Sequence, residues 1–111
     1  MASKEKLEEI RKQLQELIGK ASEIGKFAEY VHAAESPKTL DTKTKELISL
    51  GIAIAVRCEP CIIWHTEAAV KAGATEEEIL DVIKVAVCMG GGPALMYSLR
   101  AYEIAMEFLG K

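Results

Sequence analysis

Two cysteines and a histidine form the most reactive cluster of this sequence. They lie in the segment Cys-Glu-Pro-Cys-Ile-Ile-Trp-His, as Cys58, Cys61 and His65. A thiol attacks a peroxide or a disulfide only as its thiolate, and a free cysteine with a pKa near ~8.5 is mostly protonated at neutral pH. A protein that uses such a thiol must therefore stabilise its thiolate. We interpret the cluster as a dithiol redox site in which Cys61 is the activated thiol.

Three features of the sequence can stabilise a thiolate here. The cysteine pair stands at the start of a predicted helix, whose positive dipole end favours negative charge. Cys61 and His65 are separated by one helical turn, so His65 can act on Cys61 as a base or as a cation. Glu46 opens the apolar segment upstream and can orient His65 if the two helices pack side by side.

The second thiol allows the reaction to be completed. Peroxide oxidises a thiolate to a sulfenic acid, and a neighbouring thiol condenses with the sulfenic acid to form a disulfide. We therefore predict a redox disulfide between Cys58 and Cys61, with peroxide or another disulfide as substrate. A dithiol protein or a lipoyl group would reduce it through a mixed disulfide. This cycle requires no metal and no organic cofactor.

Two other interpretations of the same residues remain open. A zinc ion could be held by the cysteines together with the histidine and a fourth ligand. The candidate zinc ligands are Cys58, Cys61, His65 and either Cys88 or Glu46. Alternatively, the pair belongs to a non-catalytic oligomeric redox sensor or scaffold, whose assembly changes on oxidation. Cys88 lies in an apolar run and is otherwise predicted to be a core residue.

Hydrophobic spacing predicts an all-α fold, a compact bundle of about six helices in a single domain. A chain of 111 residues has room for one core only. The predicted helices cover residues 3–19, 22–34, 42–56, 58–73, 75–89 and 93–108. Ser3, Asp41 and Thr75 are the expected caps, and the glycines before Pro93 are a predicted break.

The predicted helices divide the domain into two parts. Residues 1–36 form N-terminal helices that we expect to contribute partly to an oligomer interface, with Phe27 and Tyr30 facing inward. Residues 37–108 form the redox core. The helix over 42–56 is apolar on nearly every side, which is typical of an element buried at the centre of a domain or assembly.

Composition and charge restrict the partners of this protein. Apolar residues make up 50% of the chain, more than a domain of this size can bury alone, so we expect self-association. The net charge is −3 and is dispersed, which argues against nucleic acid or an anionic membrane as a partner. No signal-peptide pattern occurs, and the longest apolar run of about ten residues is too short for a bilayer. We therefore expect a cytoplasmic protein.

The cluster resembles the alkylhydroperoxidase D-like branch of the carboxymuconolactone decarboxylase superfamily. The resemblance rests on Glu46, eleven intervening residues and then Cys58-x-x-Cys61-x-x-x-His65, and it covers roughly residues 37–105. It implies an all-helical fold that assembles as homo-trimers or homo-hexamers. It also implies that peroxide attacks Cys61, that Cys58 resolves the product, and that His65 and Glu46 form a proton relay. Pro60 stands where the better-studied peroxidases of the family carry a further histidine.

Overall fold

The computed structural model describes residues 2–111, and these residues form five helices. Helix α1 spans Ser3–Lys20, α2 Ile24–Glu35, α3 Thr42–Ala55, α4 Glu59–Lys71 and α5 Glu76–Leu109. The predicted all-α fold is confirmed. Helices α3, α4 and α5 pack against one another around the core, α1 lies on α4 and α5, and α2 contacts α1 and α3.

Helix α5 covers the last two predicted helices, so the described residues form five helices where about six were predicted. Its two helical halves are joined at a kink, where Gly91 has φ 69° and ψ −153°. This left-handed φ is open to glycine at little cost, and Pro93 follows within the same helix. The helical conformation is therefore interrupted within the glycine run, where the sequence predicted a break, and the two halves meet at a kink.

The length of α5 also bears on whether a segment of this chain could span a membrane. Over its 34 residues this helix is long and apolar enough to cross a membrane, by length and composition alone, and 17% of its most apolar stretch is buried. This length includes the kink at Gly91, so the expectation drawn from the ten-residue apolar run stays a prediction. Helix α5 consequently presents a large apolar surface to its surroundings.

The core lies between α3, α4 and α5. Its largest fully buried apolar side chains are Leu50, Ile54, Ile62, Ile63, Ile79 and Ile104. Several side chains that the spacing predicted to face inward are exposed instead. Phe27 and Tyr30 of α2 are 67% and 68% exposed, Ile52 of α3 is 58% exposed, and Cys88 of α5 is an exposed free thiol. Spacing predicts which side chains share a face, but one short chain has too little interior to cover every apolar face.

The helix caps follow the sequence at two of three positions. Asp41 accepts a hydrogen bond from the backbone N–H of Thr44 at 2.8 Å, and Thr75 forms the predicted capping box. Ser3 was predicted as a cap but is the first residue of α1, and it contacts α5 instead. Its backbone N–H and its hydroxyl group donate to the carboxylate of Glu107 at 2.8 and 3.1 Å. This contact ties the start of α1 to the end of α5.

Candidate functional site

Cys58 and Cys61 form a disulfide at the N-terminus of α4, with their Cα atoms 5.3 Å apart. Cys58 is the N-cap residue, and its sulfur accepts a hydrogen bond from the backbone N–H of Cys61 at 3.3 Å. Pro60 lies in the first turn, where its missing N–H would have no helical partner. Both cysteine residues are half-buried at the positive end of the helix dipole, which favours a thiolate once the bridge is reduced.

The turn between α3 and α4 holds Cys58 from both sides. The backbone N–H of Cys58 donates to the carbonyl of Ala53 at 3.0 Å, and that of Arg57 donates to the carbonyl of Ile54 at 3.1 Å. These two bonds form a Schellman motif at the end of α3. Arg57 adopts φ 60° in the position that glycine usually takes. Cys58 therefore belongs to the end of one helix and to the beginning of the next.

His65 and Glu46 meet across the interface between α4 and α3. Nδ1 of His65 lies 2.7 Å from Oε1 of Glu46, whose residue is only 6% exposed. A carboxylate at this distance fixes the orientation of the ring and determines which ring nitrogen carries a proton. The structure thus places the two helices side by side, as the predicted relay requires, with His65 one turn after Cys61 on α4.

A second carboxylate reaches the same ring nitrogen and was not among the predicted site residues. Oε2 of Glu35, the last residue of α2, lies 3.3 Å from Nδ1 of His65. Lys45 holds the backbone on either side of Glu35, because its Nζ donates to the carbonyls of Ala34 and Ser36 at 2.9 and 2.7 Å. The only related signal in the sequence is the Ser-Pro break that ends α2 there; nothing local indicates a contact with another helix.

The environment of Glu35 favours its protonated form. Burial raises the pKa of Glu35 above its ordinary value, and the negative charge of Glu46 raises it further. The charges of His65 and His32 and a hydrogen bond from Ser49 act in the opposite direction without reversing the effect. Glu35 therefore binds a proton more readily than a free glutamate does.

These three side chains are also the group in residues 2–111 whose geometry would suit a metal ion. Glu35, Glu46 and His65 each offer one ligand atom, and these atoms lie within 4.8 Å of one another. The set differs from the predicted zinc ligands. The sulfur atoms of Cys58 and Cys61 are joined to each other, and Cys88 is exposed. In this oxidised state the structure does not assemble the predicted zinc site.

Charged residues from two other helices surround the start of α4. Glu59 follows Cys58 and lies 3.4 Å from Nζ of Lys6 in α1 and 3.2 Å from Nε of Arg100 in α5. Burial alone would raise the pKa of Glu59, but the hydrogen bond from Arg100 and the positive charges of Lys6 and Arg100 lower it. The negative charge beside the disulfide is thus balanced by two cations, which also anchor α1 and α5 there.

The fold and the site agree with one family of proteins. Residues 21–103 match the sequence pattern of the carboxymuconolactone decarboxylase family, and the chain belongs to this family. The Cys58–Cys61 pair is consistent with the alkylhydroperoxidase D-like branch of that family. The resemblance inferred from the sequence is therefore confirmed.

Relatives cover nearly the whole chain. An uncharacterized protein of Cupriavidus necator is 34% identical over 100 residues, which is 88% of each chain. A solved carboxymuconolactone decarboxylase family protein of Legionella pneumophila superimposes with a TM-score of 0.89, at 39% identity over 96% of both chains. One from Thermotoga maritima, for which involvement in the antioxidative response has been suggested, gives a TM-score of 0.88 at 31% identity, covering 95% of this chain and 91% of its own.

Proposed function

We propose that this protein is a thiol-dependent peroxidase or disulfide oxidoreductase that cycles between a Cys58/Cys61 dithiol and its disulfide. The observation that carries the proposal is the 2.7 Å contact between His65 and Glu46, on a helix that begins with the cysteine pair. The antioxidative role suggested for the Thermotoga maritima relative supports the same direction.

Each of the four site residues has its own role in the proposed cycle. The thiolate of Cys61 attacks a peroxide oxygen, so that an S–O bond forms while the O–O bond breaks. His65, held by Glu46, supplies a proton to the departing oxygen, which leaves as an alcohol or as water. The thiol of Cys58 then attacks the sulfenic acid sulfur, which forms the disulfide and releases water. A dithiol or lipoyl-type protein restores the pair with two electrons.

The test is peroxide consumption by the reduced protein, followed by stopped flow. We expect Cys61→Ser to remove consumption and His65→Ala to slow it by about 100-fold, the size of effect typical of a lost acid–base group. Cys88→Ser is the matched control, because it removes an exposed free thiol outside the site. If the unchanged protein consumed peroxide no faster than Cys61→Ser, peroxide would be excluded as the substrate, and disulfide exchange would be tested next.

We also propose that the protein works as a cytoplasmic homo-trimer or homo-hexamer. An apolar surface runs along α5 and includes the exposed side chains of Val85, Met89, Leu95, Met96 and Leu99. Large exposed apolar patches on proteins often mark a contact with another protein. Asp81 and Lys84 form an exposed ion pair on the same helix, at 3.1 Å. Charges of this kind are costly in lipid, which favours other copies of the chain as the covering surface.

A further inference from the structure

Arg57, which precedes the disulfide, holds a backbone conformation that glycine adopts more easily. Its φ of 60° is the only positive φ of a non-glycine residue within residues 2–111. In this region the Cβ atom of an L-residue crowds the backbone, so glycine is the usual occupant of this position at a helix end. The turn uses only the backbone of Arg57, whose N–H donates to the carbonyl of Ile54 at 3.1 Å. The turn gives no reason for an arginine side chain here, and residues in such conformations often mark functional sites.

The charge of Arg57 is the second unusual feature. The residue is exposed, and its Cα is one trans peptide unit, about 3.8 Å, from that of Cys58. The other two arginines of the chain, Arg11 and Arg100, both pair with carboxylates. Among the ion pairs formed within residues 2–111, none includes Arg57. The guanidinium group beside the disulfide is therefore available to a molecule that approaches from solvent.

The neighbouring charges do not cancel that of Arg57. Glu59 is the acidic residue next to the cysteines, and its Oε1 lies 3.4 Å from Nζ of Lys6 and 3.2 Å from Nε of Arg100. Cations from α1 and α5 thus already compensate for its charge. Val56, on the other side of Arg57, is uncharged and 63% exposed. A molecule that reaches the disulfide past Arg57 meets a positive charge, although the whole chain carries a net charge of −3.

We propose that Arg57 is a specificity-determining residue that selects the reductant of the Cys58–Cys61 disulfide, favouring a thiol that carries negative charge beside its reacting sulfur. This inference rests on the function proposed above and adds a property of its reductant. Opposite charges attract during the approach and while the reacting sulfur atoms are in contact, which raises the rate for an anionic thiol. A dithiol or lipoyl-type protein meets this requirement with carboxylates close to its reactive sulfur atoms.

Two thiolates of the reductant balance the exchange. The first forms a bond to the sulfur of Cys58 while the Cys58–Cys61 bond breaks, and the electron pair of that bond leaves on Cys61. The second attacks the mixed disulfide, becomes joined to the first, and releases Cys58 as a thiolate. The reductant thus loses two electrons and becomes a disulfide, and the protein gains these electrons. Cys58 takes a proton from solvent, and Cys61 remains the thiolate that the proposed peroxide reaction uses.

The test measures how fast three small thiols of different charge reduce the oxidised protein. Thioglycolate is negative, mercaptoethanol is neutral and cysteamine is positive. The variants are Arg57→Ala and Arg57→Gly, which remove the charge, and Arg57→Lys, which keeps it. Lys20→Ala is the control, because it removes one exposed positive charge at the end of α1. All are made in a Cys88→Ser background, quenched with acid and alkylated, and mass spectrometry counts the reduced cysteines.

We expect Arg57→Ala and Arg57→Gly to slow reduction by thioglycolate about threefold and to speed reduction by cysteamine about threefold at low ionic strength. This is the effect of one unit charge about 7 Å away in water. The rate with mercaptoethanol should stay nearly the same, and Arg57→Lys and Lys20→Ala should keep the original selectivity. About 0.5 M NaCl should remove most of the difference, since it shortens the screening distance to about 4 Å.

The design separates charge from backbone conformation. Each thiol is compared only with itself across the variants, so that differences in thiol acidity cancel. Arg57→Gly relieves the left-handed backbone and Arg57→Ala does not, so an equal effect of both assigns it to the lost charge. An unchanged ratio of the thioglycolate and cysteamine rates in Arg57→Ala would overturn the inference. An equal change of that ratio in Lys20→Ala would also overturn it, because net charge would then be the cause.

The outcomes also separate this inference from the proposed function, because the reduction assay contains no peroxide. The expected selectivity in a protein that consumes no peroxide would overturn the peroxidase activity and support the role of Arg57. Peroxide consumption together with a selectivity that Arg57→Ala leaves unchanged would overturn the role of Arg57 alone. Failure of all three thiols to reduce the disulfide would overturn both.

Discussion

Oε1 of Glu46 and Nδ1 of His65 lie 2.7 Å apart, although 19 positions separate the two residues along the chain. The contact depends on the packing of α3 along α4, the two helices that flank the disulfide turn. The imidazole ring is thus already oriented while Cys58 and Cys61 are oxidised. Reduction of the bridge would therefore leave a ring whose orientation is set by α3 and not by the cysteines.

The charge of Glu46 should matter more than its shape. Glu46→Gln keeps a hydrogen-bond acceptor beside His65 but removes the charge, so we expect peroxide consumption to fall by about 10- to 100-fold at neutral pH. The measurement is stopped flow, with Glu29→Gln as the control for loss of one carboxylate. Equal rates for the unchanged protein and Glu46→Gln would show that the contact is structural only.

The pH dependence of stability should reveal the burial of Glu35. Its pKa is raised in the folded chain by burial and by the charge of Glu46, so the folded state binds a proton there more tightly than the unfolded state. This contribution to stability is present in acid and is lost as the pH rises through the raised pKa. Relative to Glu35→Gln, the unchanged protein should therefore lose stability as the pH increases from about 4 toward 8.

Urea unfolding at one fixed protein concentration measures this difference in free energy at each pH. Glu29→Gln is again the control, because its carboxylate is exposed on the same helix. If the difference between the unchanged protein and Glu35→Gln did not depend on pH, the assigned effect of burial on Glu35 would be wrong.

The left-handed conformation of Arg57 should cost stability. Arg57→Gly removes the Cβ atom from a residue with φ 60°, so we expect stabilisation by about 1 kcal/mol, or a rise in Tm of about 4 °C. Arg57→Ala is the matched control, since it removes the same charged side chain but keeps the Cβ atom. Thermal unfolding with both variants decides the question. A similar Tm increase in Arg57→Ala would assign the effect to the side chain instead.

Molecular mass distinguishes an enzyme from a redox-dependent scaffold. We expect light scattering to give three or six times the 12.1 kDa of the chain, with the same value in the presence and absence of reductant. Leu99→Lys places a charge on the exposed apolar surface of α5 and should lower the mass, whereas Thr39→Lys, in an exposed turn, should not. A mass that changes with reductant would favour the sensor or scaffold.

Local sequence patterns predicted the parts of the site that lie within one helix or at its ends. The spacing of Cys61 and His65 places them one turn apart, and Asp41 and Thr75 cap the helices as their residue types suggested. Glu46 contacts His65, but the side-by-side packing of α3 and α4 could not be derived from spacing, and the role of the pair stays a prediction.

The remaining features depend on tertiary packing, which local sequence patterns do not predict. Glu35 reaches His65 from the end of α2, where Lys45 of α3 binds the backbone carbonyls on either side of Glu35. Cys88 looked like a core residue because its neighbours are apolar, but that part of α5 faces outward. The kink at Gly91 was predicted as a break, since glycine and proline mark an interruption without specifying whether the helix resumes in line.

The double role of Cys58, at the end of α3 and at the start of α4, has a consequence for oxidative damage. Its backbone is bound to the carbonyl of Ala53 and its Cα lies 5.3 Å from that of Cys61, so the two thiols stay near each other after reduction. The effective concentration of one thiol at the other is then far above that of any free peroxide. We expect a sulfenic acid on Cys61 to be captured by Cys58 before a second peroxide converts it irreversibly to a sulfinic acid. The turn would thereby protect the protein from inactivation by excess peroxide.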